Sequence, residues 1–212
     1  MTEQVNQLDL LSKLLEMAKK EGAETADAVV FDATSIEVAQ RLGAAEKLER
    51  AESADMGLRV FIGKQQAIVS STDHSDGALR EMAERAVAMA KAAPEDPWCG
   101  IADPDQIAKT IAEMDSFDPV EPETQTLIDM ATEAEEAARA VAGVTNSEGA
   151  EAGYSRARIA MAASNGFAQN YAVTSHSFSA SVIAGEGTTM ERDYDFTSAV
   201  YAEDLKSPAE VG

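Results

Sequence analysis

Residues 57–98 read GLRVFIGKQQAIVSSTDHSDGALREMAERAVAMAKAAPEDPW, and their pattern decides the fold. Leu58–Ile62 is a short apolar run, Gly63-Lys64 a turn, and Gln66–Thr72 a second strand. Glycine at the first central position permits the positive φ that tight hairpin loops require. A helix follows, entered through Asp73 or Ser75, whose side-chain oxygens suit free first-turn N–H groups. Leu79, Met82, Ala83, Ala86, Met89, Ala90 and Ala93 recur at three- and four-residue steps, which predicts one apolar face. Asp76 with Arg80 and Glu81 with Arg85 stand four apart, each pair adding about 0.2–0.5 kcal/mol. A hairpin and an amphipathic helix in series must bury against each other, so this stretch predicts an α+β fold.

Upstream, Leu8, Leu11, Leu14, Leu15 and Ala18 form a stripe that predicts a helix over about residues 7–21, stopped at Gly22. Ala26–Phe31 and Ile36–Leu42 read as two strands joined through Asp32–Ser35. Propensity alone makes residues 44–55, AAEKLERAESAD, helical. Downstream, three prolines within Pro94–Pro104 exclude a long regular element. That segment is expected to cover one end of the sheet with Trp98 packed inward. A short helix is expected over Asp105–Met114, and a long one from about Pro122 to Val141, with Leu127, Met130, Ala131, Ala134, Ala137, Ala138 and Val141 as its stripe.

From Val144 the pattern turns to β. Ala157, Ile159, Met161 and Ala163 alternate with Arg158 and smaller residues, and Asn165-Gly166 suits a type I′ hairpin turn. Ala168–Ala184 stays strand-like for an unusual length, predicting a bulge, a bend or a strand shared by two sheets. Met190, Tyr194, Phe196 and Val200 mark a last strand. The expected architecture is mixed or antiparallel sheets with long amphipathic helices on one face, in two helix-plus-sheet units. Their expected bounds are 1–115 and 116–205. At 206–212, Ser207-Pro208-Ala209-Glu210 is a capping-box helix start just before the last residue, Gly212. One turn does not repay helix nucleation, so the natural protein is expected to continue beyond it.

The chain carries 38 Asp and Glu against 17 Lys and Arg, a formal net charge of −21 at pH 7. Such a surface repels phosphate backbones and anionic membranes, and no basic patch offsets it. Direct nucleic-acid binding is therefore not expected. The single cysteine, Cys99, excludes an intrachain disulfide and suits a reducing compartment. No secretory leader pattern or spanning apolar run is present, and a cytoplasmic location is expected.

Candidate chemistry is sparse. His74 and His176 are the only histidines and sit in no metal-binding spacing. Ser175-His176-Ser177 cannot converge, because neighbours on a strand point to opposite faces. Cys99 has no acid–base partner by spacing, and Gly185-Glu186-Gly187 opens no helix that would make it a phosphate loop. Glu191, Asp193 and Asp195 share one strand face, either as a hard-cation site or as a solvated acidic face; the second reading is preferred. The expectation is no catalytic residue and no metal ligand in this chain, with the substrate-binding residues unassigned.

Several long motifs carry a resemblance. GLRVFIGKQQAIVSSTDHS at 57–75, ALREMAERAVAMAKAAPEDPWCGIAD at 78–103, EKLERAES at 46–53, SNGF at 164–167, MERDYDFTSA at 190–199 and DLKSPAEVG at 204–212 are similar to the TldD/PmbA family, on its PmbA/TldE side. That family was named for modulation of DNA gyrase. The resemblance implies that 44–55 is extended. It also implies an N-terminal part of a cytoplasmic TldD–TldE metalloprotease that trims unfolded peptides, including microcin precursors, and degrades antitoxins. In such a heterodimer zinc belongs to the TldD-type partner, which carries a His-Glu-x-x-x-His motif missing here. This subunit would shape the chamber and grip substrate, with the strand at 168–184 as the expected platform. Two other classes stand beside it: a binding or regulatory module in a toxin–antitoxin or gyrase-related pathway, and a freestanding hydrolase using the Glu191–Asp195 carboxylates.

Overall fold

The computed structural model describes residues 7–108 and 110–212. In chain order the elements are α1 (Gln7–Glu21), β1 (Thr25–Arg41), β2 (Ala44–Ile62), β3 (Gln65–Ser71), α2 (Asp76–Ala92), α3 (Thr124–Arg139), β4 (Val144–Ala163), β5 (Ala168–Ala184), β6 (Glu191–Ala199) and α4 (Pro208–Val211). The strands form one six-stranded antiparallel sheet in the order β3-β2-β1-β4-β5-β6. The class is α+β. The chain divides into two compact units that interleave in sequence. One takes the residues up to Asp32, Ser53–Met114 and Arg158–Tyr171; the other takes Ala33–Glu52, Asp115–Ala157 and Ala172–Gly212.

In the first unit α1 packs on α2, and both cover one face of the strands. Leu11, Leu14, Leu79, Met82 and Ala86 meet Ala28, Val30, Met56, Leu58 and Val60 in a closed core. The 62–65 hairpin turns on Gly63, at φ 56, and pairs Ile62 with Gln65. Ser75 caps α2 by accepting from the Ala78 N–H at 3.3 Å, while the Asp73 carboxylate holds the Ser75 N–H at 2.8 Å. Val87, not Met89, completes the buried stripe, and Met89 faces solvent. The Asp76 carboxylate pairs with Lys13 of α1, and Arg80 donates to the Asp76 backbone carbonyl.

In the second unit α3 lies on Ile36, Val38, Ala150, Ala152, Tyr154, Phe178 and Ala180. The one-turn α4 has its full capping box and buries Val211 in this core. Packing on α3 supplies what nucleation alone does not. Glycine is required at 212 because a Cβ there would stand 2.3 Å from the Ala134 carbonyl oxygen.

Several expectations are corrected. β1 is one continuous strand through Asp32–Ser35, because Thr34 and Ile36 keep the alternation of buried positions unbroken. Among the described residues of 105–114 there is no helix; a lone turn closes from the Gln106 N–H to the Asp103 carbonyl, and Ile111 and Met114 are exposed. The helix expected there also includes Lys109, which lies outside the described residues. The proline-rich segment does tie to the hairpin ends, through Lys64 to the Cys99 carbonyl and Asn165 to the Ala102 carbonyl. Trp98 nevertheless points outward, 92% exposed. In β4 the core positions are Ala160 and Ala162, leaving Met161 on the outer side; small residues admit the helices closely. The Ser164–Gly166 loop is no type I′ turn. Only Gly166 there has positive φ (98), and Ala163 bonds Phe167, the three-residue pattern of a type I turn followed by a left-handed glycine.

Residues 44–55 are extended, as the resemblance implies and propensity does not. The long β5 belongs to a single sheet and runs through both units. It is an interior strand: Ala184 to His176 pair with Glu191 to Ala199 of β6. The expected platform therefore has no open edge over 176–184; the outermost strands of the sheet are β3 and β6, and β3 leaves the first part of β2 uncovered.

Candidate functional site

The second unit holds the polar groups that matter. His176 sits on β5 with its side chain 3% exposed. Its Nε2 lies 3.2 Å from Asp118 Oδ2, close enough for an ion pair but not directed as a hydrogen bond. Its ring tilts against Tyr154 at 5.0 Å. Burial pushes the His176 pKa below its ordinary value, and Asp118 only partly opposes this. Asp118 is held below the usual carboxylate range by the Val120 N–H at 2.8 Å, working against burial, and further by the Ala202 N–H and His176. Thr174 accepts the Asp118 N–H at 2.8 Å, and Ser116 pairs with the β5 backbone at Ala172 and Thr174. The cluster ties the 115–120 strap to β5. It is a buried tie sealed from substrate, in which His176 Nε2 faces Asp118 without a directed hydrogen bond.

A second buried carboxylate was hidden in the helix pattern. Glu135 takes a position in the α3 stripe between Ala134 and Ala138 and is 2% exposed. Its oxygens accept the Leu42 N–H at 2.7 Å, the Gly43 N–H at 3.0 Å and the Ser147 hydroxyl at 2.5 Å. Burial works to raise its pKa, but these donors outweigh burial and the net shift is downward. Leu42 has φ 53, the one positive φ among the described non-glycine residues. A two-residue turn with both central residues left-handed is thus fixed by a charged acceptor beneath it. The sequence signal was available: a glutamate on an apolar stripe must find donors inside.

Glu191, Asp193 and Asp195 share a face of β6, opposite Ala184, Val182 and Ala180 of β5. They wall a groove of about 600 Å³ whose floor includes Ala138, Val141, Val144 and Val182. Asp195 pairs with Lys206 at 2.8 Å, which lowers its pKa. Among the described residues no three His, Cys, Asp or Glu side chains come together in a way that could hold a metal. The other face of β6 carries Tyr194 and Phe196, 65% and 60% exposed, opposite Ser181 and Ser179. Among the described residues no strand lies beside the outer edge of β6. An open edge with two aromatic side chains spaced by two residues is suited to extended peptide, whose backbone would add to the sheet.

The remaining candidates do not join this region. His74 lies in the turn before α2, and Cys99 is buried in the proline-rich segment of the first unit. Ser175 and Ser177 flank buried His176 on the other side of β5, where Ser175 Oγ is 3.4 Å from Ser198 Oγ. Gly185–Gly187 is a turn followed by a 3-10 turn at Gly187–Thr189.

Two family models match the chain. One, described as PmbA/TldA metallopeptidase domain 1, covers residues 26–90; the other, the PmbA/TldA metallopeptidase central domain, covers residues 117–212. The chain is 34% identical over 207 residues to Metalloprotease PmbA of Escherichia coli O157:H7, covering 96% of this chain and 45% of that protein. It is 30% identical over 203 residues to the Metalloprotease PmbA homolog of Haemophilus influenzae, covering 95% and 45%. Among solved structures, TldE from Thermococcus kodakarensis superposes with a TM-score of 0.81 at 16% identity, over 95% of this chain and 45% of that one. A Bacteroides thetaiotaomicron protein described as a candidate modulator of DNA gyrase gives 0.87 at 20% identity, over 100% and 49%. These structural matches show a shared fold. The chain spans about half the length of the relatives it matches.

Proposed function

Because the chain belongs to the PmbA/TldD family of metallopeptidases, we propose that it works as part of a TldE-type subunit in a heteromeric peptide hydrolase. A TldD-type subunit is its partner, unfolded peptides of the microcin-precursor or antitoxin kind are its substrates, and its location is cytoplasmic. This chain builds the sheet scaffold and grips peptide, while the zinc chemistry belongs to the partner. The observation that carries the reading is the identity of 34% that runs through 207 residues to a metalloprotease, rather than through one motif.

The donor set in hand does not fit zinc. His176 is sealed against Tyr154 and Asp118, and Asp195 is committed to Lys206. The grip is assigned to β6 in place of β5. Backbone hydrogen bonds at an open edge tolerate many peptide sequences, and Tyr194 and Phe196 offer apolar contacts between residues of an added strand. In the assembled enzyme, Tyr194→Ser with Phe196→Ser is expected to raise KM for an unfolded peptide about tenfold with little change in kcat. Both side chains are exposed, so folding is little affected. An unchanged KM would remove the gripping role.

A further inference from the structure

Residues 41–55 are exposed without exception, although 44–55 are a regular part of β2. The neighbours of β2 in the sheet are β1 and β3, and β3 pairs only with Met56–Ile62. The preceding stretch therefore offers a long open edge. It contains no proline to block pairing, and its charged side chains, which keep an edge off most other strands, decide what it can pair with. What it has is an ordered run of charge: Glu46, Lys47, Leu48, Glu49, Arg50.

We propose that this edge pairs with the same edge of a second copy of the chain, antiparallel about a two-fold axis through Leu48. Reversed upon itself, the run is self-complementary. Lys47 stands opposite Glu49 of the second copy and Glu46 opposite its Arg50, with both pairs repeated by symmetry and Leu48 meeting Leu48 on the axis. Directly opposed unlike charges stabilise strand pairs and like charges destabilise them. The two-fold also makes the interface isologous, the commonest closed arrangement.

Register is specified by the same charges. Alternate residues turn their N–H and C=O groups outward, so a strand pairs with its own copy only with the axis through a residue or an equivalent even-sum step. Moving the axis one residue back opposes Lys47 to Lys47. Moving it one forward opposes Glu49 to Glu49 and Glu46 to Glu52. An axis at Ala51 is also charge-matched, but it sets Ala45 against Gly57 and Ala44 against Leu58, where β3 already holds the edge. Only the Leu48 axis satisfies both the charges and the space. In the single chain Lys47 is shared between Glu37 and Glu49, and Arg50 between Glu52 and Glu121. These pairs are exposed and weak, so exchange of partners costs little. Leu48, 63% exposed, is the apolar centre that the pairing covers.

The inference stands apart from the peptidase reading, because its test uses the chain alone and no peptide. The 212-residue chain, measured by sedimentation at micromolar concentration, is expected to be a dimer. Lys47→Glu and Glu49→Lys, each alone, place two like-charge pairs across the axis and are expected to weaken dimerisation about tenfold or more. The double substitution Lys47→Glu with Glu49→Lys restores opposed unlike charges and is expected to recover the dimer, which a folding defect would not do. Independently, Leu48→Cys with Cys99→Ala is expected to give a covalent dimer with a short thiol cross-linker. A monomeric chain, a dimer indifferent to both single substitutions, or failure of the double substitution to recover it would each overturn the proposal.

Discussion

Glu135 shows how a single buried charge sets local geometry. Its carboxylate accepts from Leu42, Gly43 and Ser147, and two of those donors belong to a left-handed turn that leucine does not favour. Removal of the acceptor leaves three donors without a partner and a strained turn without support. Glu135→Ala is therefore expected to lower stability by about 2–4 kcal/mol in urea unfolding. Leu42→Gly acts on the other side of the same contact, relieves the strain and is expected to be neutral or stabilising by up to about 1 kcal/mol. Equal destabilisation by both would show that the turn is not strained.

His176 and Asp118 give a pH dependence with one sign. The folded pKa of His176 lies below the ordinary 6.5, so between the two values the unfolded chain binds the proton more readily. Its contribution to stability is complete above about pH 6.5 and is lost as pH falls toward the folded value. Asp118, lowered from 3.8, adds a contribution present above that value and lost on further acidification. Stability is expected to fall through both windows on acidification. His176→Phe is expected to flatten the upper one, read from urea midpoints measured between pH 5 and pH 8. An unaltered upper slope would place the titrating group elsewhere.

At the scale of elements, close approach decides more than propensity does. Gly149 sits in β4 at φ 109, and a Cβ there would come 2.8 Å from the Gln40 carbonyl oxygen. Gly149→Ala is expected to cost about 1–3 kcal/mol, measured by thermal unfolding, whereas Gly166→Ala meets open space and pays only for its φ. The helices were legible because their stripes repeat: the bounds of α1, α2 and α3 follow from leucine, methionine and alanine spacing. The continuity of β1 was not, since Asp32 and Ser35 look like turn residues, and the place of β1 between β2 and β4 is written in no local pattern. Extended structure at 44–55 is also invisible to propensity, because β1 imposes it through the ladder. The interior place of β5 depends on strand order, which no local pattern records. Of the site, the shared face of Glu191, Asp193 and Asp195 was legible from alternation. Asp118 and Glu135 were not recognised, since their donors come from remote segments.

At the scale of the molecule, the acidic balance disfavours nucleic acid, and the peptide-handling role proposed for the chain agrees with its fold and family. The chain supplies the open β6 edge with its aromatic pair, and no metal donor set is found among the described residues. The central claim is a division of labour in which this chain holds peptide and a partner subunit cuts it. It is tested most directly by following cleavage of an unfolded peptide by this chain alone, with metal content measured in the same sample. The account predicts no cleavage and no stoichiometric transition metal until a TldD-type subunit is added. Cleavage by the chain alone, or one bound transition metal per chain held by its own side chains, would contradict it.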